Sequence, residues 1–424
     1  MKNLIKSIIA FKLGICARII LRRYQPHIVM VTGSVGKTST KDAVAAVLTS
    51  RFFVRKSEKS FNSELGVPFT ILGVGNPWSN PFAWLRVIRS AFALCVLPNH
   101  YPNMLVLEVG ADRPGDLSHI LKFATPDVVV VTRLPEISVH VEAYASPEAV
   151  REEEFSPAHA LSAGAPLIIS SDDPYACGSA SRTPARVISY GMNTDSEVRI
   201  SKIDFFEKRG VVEGMCASVV MKGEHGKLIV KGSVGKTQIL PLAAALATAL
   251  AFDISLSESL ESLESYEPPP GRGRILKGKN NSIIIDDSYN ASPVAVEEAL
   301  ATLKMFPHAK RRVAILGDML ELGRHSVIEH ERIASFASDA ADVIVTVGIR
   351  ARAFGIAPKN AVVMQFDNAA AASVTLPELI QEGDVVLVKG SQSIRTERIV
   401  EALLANPADA SKLVRQEKKW KQKA

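Results

Sequence analysis

The stretch HIVMVTGSVGKTST, residues 27–40, sets an apolar, β-branched run against a glycine-lysine-threonine turn, and STKDAVAAVLTS then continues with the composition of a helix. A turn of this kind between strand and helix is the usual way to hold nucleotide phosphates. Gly33 and Gly36 let the backbone amides curl around phosphate oxygens, with Ser34, Val35 and Ser39 completing the loop. Lys37 is placed to neutralise the outer phosphates, and the Thr38 hydroxyl to sit on Mg²⁺. Val31 stands where the longer form of the pattern has a glycine, so the match is to the shorter T-G-x-x-G-K-T form.

The hexapeptide GSVGKT recurs at 232–237, between KLIVK and the almost wholly apolar QILPLAAALATALAF. The pattern alone does not separate the two copies; their surroundings do. A working phosphate loop needs a carboxylate at the end of a neighbouring strand, and LVLEVGADRPG supplies Glu108 near the first copy. The second copy reads as a strand-to-helix turn, with Pro241 compatible with a first helical turn.

The chain has 424 residues, 47% hydrophobic and 22% charged, enough for two or three folded domains. A net charge of +6 favours anionic ligands but carries little weight for nucleic acid, and no nucleic-acid partner is expected. The four widely spaced cysteines form no CxxC pair, which points to a reducing compartment without a zinc or disulfide frame.

From His27 onward, apolar strand-like runs alternate with helical stretches, which argues a mainly parallel sheet covered on both faces. Between about Val187 and Val230 the texture changes to short alternating runs, read as an antiparallel extension. The Pro- and Gly-dense YEPPPGRGR at 266–274 marks the main boundary, and a second α/β series follows it. The expected organisation is a basic amphipathic helix over 1–26, a central ATPase domain over 27–267, a C-terminal domain over 271–408, and a frayed or helical basic tail over 409–424. The first 28 residues hold Lys2, Lys6, Lys12, Arg18, Arg22 and Arg23, no acidic residue, and apolar side chains such as Leu4, Ile5, Ile8, Phe11, Ile15 and Ile19 between them. The uninterrupted apolar runs are too short to span a bilayer. Two readings stand side by side: a helix packed on its own domain, or one lying on an anionic membrane surface through residues 1–24, with PFAWLRVIRSAFALCVL from Pro81 of similar character.

The segments VTGSVGKTSTKD, FNSELGVPFTIL, LVLEVGADRPGDL, PGRGR, IIDDSYNASP, AILGDMLELG and VLVKGSQS occur in an order and spacing that resemble the Mur ligases, over roughly residues 28–405. DDSYNASP and GDMLELG are similar to the branch that adds D-alanyl-D-alanine to a muramoyl tripeptide. The resemblance implies an α/β fold, with a P-loop central ATPase domain and a C-terminal Rossmann-like domain. It also implies ATP and Mg²⁺ as cofactors, and a ligase that activates a carboxylate as an acyl phosphate before an amine attacks it. The partners it implies are a muramoyl-peptide precursor and D-alanyl-D-alanine; the location is the cytoplasm, with the inner face of the membrane as an option. By the same resemblance Lys37, Glu108, His140 and Lys389 are catalytic, and Thr38, Glu108 and His140 hold metal. Asn62, Ser63 and Glu64 face the substrate; Arg272, Asp287 and Asn290 contact the nucleotide; and Gln238, beside Thr237 in the second GSVGKT, lies near the base.

Three departures accompany the resemblance. Only some 26 residues precede the first strand, where relatives carry a UDP-recognising domain. Glu154 falls where many relatives have a carbamylated lysine at the metals; it is read either as a metal ligand acting through water or as part of a solvated face with Glu152 and Glu153. RLPEISVH is longer than the usual segment before the histidine, with Arg133 at a commonly uncharged position. A lipid-linked or other acceptor, or a non-catalytic scaffold, therefore remain as alternatives. A GTPase switch is disfavoured: Asp112 fits its Asp-x-x-Gly element, but no Asn-Lys-x-Asp occurs. The oligomeric state is left open. Lys37→Ala is expected to abolish ATP hydrolysis and Lys236→Ala to leave it, measured as phosphate release; the reverse result would exchange the roles of the two loops.

Overall fold

A computed structural model describes residues 2–58, 61–77, 80–356 and 361–421. Met1, the end of the basic tail at 422–424, and the side chains of residues 2–7 and 418–419 lie outside the described residues, so Lys2, Leu4, Ile5 and Lys6 are placed in the backbone only.

Helix α1 (Lys2–Tyr24) precedes β1 (His27–Thr32), and α2 (Lys37–Leu48) follows the glycine turn. The chain continues through β2 (Val54–Lys56), α3 (Gly66–Leu72), α4 (Pro81–Val96), β3 (Met104–Glu108), α5 (Asp116–Leu121), β4 (Val128–Val131), α6 (Pro147–His159), β5 (Pro166–Ser170), α7 (Pro174–Ala180) and β6 (Arg186–Gly191). Three longer strands, β7 (Val198–Lys208), β8 (Val211–Met221) and β9 (Glu224–Lys231), lead into α8 (Lys236–Ala251) and α9 (Leu256–Leu263). All nine strands form one sheet in the order β2-β3-β1-β4-β5-β6-β7-β8-β9. It is parallel from β2 to β7. The antiparallel extension is narrower than the sequence texture implies: β6 pairs parallel on both sides, and only β7, β8 and β9 run as a meander.

The second series comprises β10 (Arg274–Lys277), β11 (Ile283–Asp287), α10 (Pro293–Met305), β12 (Arg311–Gly317), α11 (Ser326–Ala340), β13 (Val343–Val347), β14 (Val362–Phe366), α12 (Ala369–Thr375), β15 (Asp384–Lys389), α13 (Glu397–Leu403) and α14 (Lys418–Lys421). Its six strands order as β10-β11-β15-β12-β13-β14, parallel except for the edge strand β10.

The fold is thus α/β, with a large, mostly parallel sheet and a second mixed one. VVVV in β4 and DVVLVK in β15 are buried along their whole length, as strands covered on both faces must be. Helix α8 is buried at each residue from Pro241 to Leu250, and its alanines let it pack closely against α2. One apolar cluster runs from α2 and α8 through Val296, Leu300 and Phe306 of the second series to Leu316 and Leu387, so the two sheets share a core. The basic tail is not frayed where it is described. Leu413 and Val414 are buried, and the Arg415 guanidinium meets Glu397 at 2.9 Å, because an apolar pair followed by a buried carboxylate partner anchors the chain there.

Asp286 is fully buried in β11; Ser288 Oγ donates to its Oδ1 at 2.5 Å, while Oδ2 has no partner. Burial pushes this carboxyl up to about 6. The unfolded chain's aspartate titrates near 3.9, so between about pH 4 and 6 the folded state holds the extra proton, and its stability falls as pH rises through that window. Asp286→Asn should remove this contribution, on the order of 2–3 kcal/mol from a shift of about two units. Urea unfolding is expected to show the variant gaining on the parent between pH 4 and 7; a constant difference would refute the assignment.

Candidate active site

Strand order creates the site. The neighbours of β1 leave on opposite sides, β3 on one and β4 on the other, so the turn after β1 opens into a crevice at the carboxyl ends of the strands. That turn is the first GSVGKT. Gly33 has φ 109, and a Cβ there would lie 2.4 Å from Thr132 Oγ1, so only glycine fits. The Ser34 amide donates to the Arg133 carbonyl at 3.0 Å. Lys37 begins α2, whose amino end adds partial positive charge to that of the lysine.

The second GSVGKT folds as the turn into α8 and is occupied by the linker. The Val234 amide donates to the Gly273 carbonyl at 2.8 Å, Ile275 N donates to Gly232 O, and Ser233 Oγ donates to Arg272 O. Gly273 has φ 66 and no room for a Cβ beside Val234 O, at 2.4 Å. Of this hexapeptide only Thr237 lines the large cavity between the two sheets, whereas Ser34, Val35, Gly36, Lys37 and Thr38 of the first copy all do.

A cavity of about 780 Å³ lies between the carboxyl ends of the two sheets. Ser34, Val35, Gly36, Lys37, Thr38 and Ser39 form one wall, with Asn62, Glu108 and His140 beside them. Thr237, which ends the second GSVGKT, and Gln238 after it reach it, and Arg272, Asp287, Asn290 and Lys389 close it from the C-terminal series. Four of the residues expected here are placed elsewhere. Gly33 does not line the cavity; its amide donates to Glu154 instead. Ser63 Oγ accepts from the Gly66 amide at the start of α3, and Glu64 lies 3.7 Å from His119. Glu154 sits behind the phosphate loop, where Oε2 accepts from Gly33 N at 2.7 Å and Thr32 Oγ at 3.2 Å, and Oε1 lies 3.5 Å from Lys37 Nζ. Its reading as a solvated face fails: it is buried on α6, while Glu152 is more open and pairs with Arg182. Burial raises the Glu154 carboxyl, and Lys37 and the Gly33 amide pull it back.

Glu108 ends β3 inside a ring of cations. Burial pushes its carboxyl up; Lys41, Lys37, Arg272 and the Thr38 hydroxyl oppose that. Its Oε2 has no hydrogen-bond partner, nor have Gln238 Oε1 and Arg272 Nε, and all three residues line the same cavity. Buried polar atoms without partners are rare, and three around one cavity mark a place for a polar ligand. The Arg272 guanidinium stacks 4.3 Å over the Tyr289 ring and donates to Thr38 Oγ at 3.3 Å, joining the two halves. Lys389 Nζ is held within its own series, donating to Asp287 Oδ2 at 2.6 Å and Asn290 O at 3.0 Å. His140 holds φ 67, uncommon for a residue with a side chain, and lies 3.0 Å from Glu321 and 3.6 Å from Asp112. Burial alone would lower its pKa; those two carboxylates outweigh burial and raise it.

Among the described residues no three His, Cys, Asp or Glu side chains converge as a metal cluster. The unpartnered Glu108 Oε2 beside Thr38 is nevertheless the kind of oxygen a hard cation takes up. Sequence reasoning missed Lys41, Tyr289 and Glu321. Lys41 is buried one turn after Lys37 with its Nζ on Ser57 O at 2.7 Å, a spacing visible in GKTSTK. Glu321 and Tyr289 lie inside segments whose family likeness was plain, but nothing local said which of their side chains turn inward.

Residues 31–249 match the Mur ligase middle domain, and residues 271–392 the glutamate ligase domain of Mur ligases. The chain is 25% identical over 405 residues to the UDP-N-acetylmuramoyl-tripeptide–D-alanyl-D-alanine ligase of Bacillus subtilis, covering 92% of this chain and 79% of that protein. It is 29% identical to the enzyme of the same name from Mycobacterium leprae, over 90% of this chain and 74% of the relative. The crystal structure of MurF ligase from Thermotoga maritima in complex with ADP superposes with a TM-score of 0.77 at 26% identity, over 93% of this chain and 83% of the other.

Because its carboxylate is turned to the loop, Glu154→Gln is expected to weaken ATP binding several-fold while leaving the Mg²⁺ concentration for half-maximal turnover unchanged. A shifted Mg²⁺ requirement in the same titration would make Glu154 a metal-site residue instead.

Proposed function

The chain belongs to the Mur ligase family, and from that premise we propose that it joins D-alanyl-D-alanine to a muramoyl tripeptide at the expense of ATP, releasing ADP and phosphate. The observation that carries this is the cavity where the phosphate loop, the unpartnered Glu108, Gln238 and Arg272 atoms and the Asp287–Lys389 pair face one another. The two named relatives act as ligases of this dipeptide by name, and the Thermotoga maritima structure is described with ADP.

A carboxylate is a poor electrophile, so its oxygen first attacks the γ-phosphorus of ATP; the P–O bond to ADP breaks and an acyl phosphate forms. The dipeptide amine then attacks the acyl carbon, the C–O bond to phosphate breaks, phosphate leaves, and the proton lost from the nitrogen as it becomes an amide passes to water. Both steps concentrate negative charge between the phosphate loop and the incoming carboxylate, where fixed positive groups in a dry site are worth most. Lys37 and the amino end of α2 serve the phosphates from below, and Arg272 reaches the same place from the linker. A magnesium ion, held by the Thr38 hydroxyl and Glu108 with His140 as a further ligand, would supply charge neutralisation of the phosphates. Gln238 offers a buried, unpartnered carbonyl oxygen that a nucleotide base would take up, and Asp287 and Asn290 orient Lys389. Asn62 alone of its segment lines the cavity, where it would meet the substrate.

The test is phosphate release from ATP with UDP-muramoyl-tripeptide, D-alanyl-D-alanine, both or neither. Release only with both, with a product mass equal to the two joined less water, is expected. ATP binding without release under any of the four conditions would overturn the proposal.

A further inference from the structure

Two helices of the first series are amphipathic the wrong way round for a water-facing surface. Helix α4 buries Val87, Ala91 and Leu94, while Phe82, Leu85, Ile88, Phe92 and Val96 point outward, with Phe82 79% exposed. Helix α1 packs against α4 and α3, burying Leu13, Ala17 and Ile20, while Ile8, Phe11, Ile15 and Ile19 stay open, with Phe11 71% exposed. Each exposed set recurs every three to four residues, so each is a stripe along one helix face. Arg23 donates to Cys95 O at 2.6 Å and ties the end of α1 to the end of α4. Large apolar side chains gathered on the outside of a folded protein mark a surface that something covers.

Charge decides what. Neither helix contains an aspartate or glutamate, and Lys12, Arg18, Arg22, Arg86 and Arg89 are all exposed among the apolar residues. A face of one sign, with cations on long stems beside aromatic and aliphatic side chains, suits anionic headgroups over acyl chains. Among the described residues no helix is long and apolar enough to cross a membrane, so such helices would lie along it. We propose that α1 and α4 form a docking face for an anionic lipid bilayer. The face is coupled to the site: Trp84 of α4 meets Phe69 of α3 at 6.0 Å, Phe69 meets Phe61 at 6.5 Å, and the next residue, Asn62, lines the cavity. Docking would therefore hold the substrate-facing side of the cavity close to the bilayer surface. This inference does not depend on which amine or acceptor the site uses.

The full chain would be sedimented with vesicles of phosphatidylcholine alone and of phosphatidylcholine mixed with phosphatidylglycerol. Binding to the mixed vesicles only, weakened by salt, is expected. The double variant Phe82→Ser/Phe92→Ser should reduce the bound fraction about tenfold, since each removes an exposed ring that would enter the bilayer. Arg86→Gln/Arg89→Gln should reduce the salt-dependent part, with both variants melting like the parent because these side chains are exposed. Protein left in the supernatant with both vesicle types, or variants that bind like the parent, would overturn the proposal. So would a dimer in sedimentation velocity that the phenylalanine variant dissolves, since the face would then belong to a second copy.

Discussion

The reversal of strand order at β1 is the constraint from which the site follows. Parallel strands all deliver their carboxyl ends to one edge, and a strand whose two neighbours are reached in opposite directions leaves a gap there. Into that gap fall the phosphate loop after β1 and Glu108 at the end of β3. The second sheet repeats the device: β15 lies between β11 and β12, bringing Lys389 level with Asp287. With the carboxyl edges of the two sheets facing one another, residues more than two hundred positions apart in the chain line one cavity.

Within it, the balance of charge is uneven by design of burial. Glu108 has Lys37, Lys41 and Arg272 around it, yet burial still dominates and raises its carboxyl. A buried carboxylate in that condition is stabilised by a further cation rather than by more desolvation. Glu154 has the opposite task. With backbone amide and hydroxyl donors on one oxygen and Lys37 near the other, it fixes the loop's shape from behind. One carboxylate thus faces the cavity and the other faces the scaffold, although both are buried and both lie close to Lys37.

The alternation of strands and helices was legible because period and composition are local: HIVMV, VVVV and DVVLVK announce buried strands on their own. The phosphate loop was legible for the same reason. The pairing of β6 was not, because parallel or antiparallel direction depends on where the chain has been, not on residues 186–191. The likeness of motifs located Asn62 but could not say that Ser63 would turn to cap α3 and Glu64 toward His119. For Glu154, composition placed it in an acidic run of three; only the helix phase of α6 separates the buried member from its more open neighbours. Arg415 was hidden by the lysines around it, since a tail reads as basic before it reads as anchored.

The contacts that join the two halves around the cavity are of a kind that ligand can replace. His140 is held by Glu321 across the gap, Arg272 by the Thr38 hydroxyl, and Arg133 by Glu298 at 2.8 Å. Two of the three use a residue that the proposed chemistry needs for phosphate or metal. Nucleotide entering the cavity would take Thr38 and His140 from their present partners, leaving Arg272 and Glu321 to find others. The Arg133–Glu298 pair touches neither, and with 41% of the arginine side chain exposed it is a weak surface pair that yields at little cost. The interface therefore has a shared apolar core beneath a polar rim of three contacts, two of which use residues that the proposed chemistry needs.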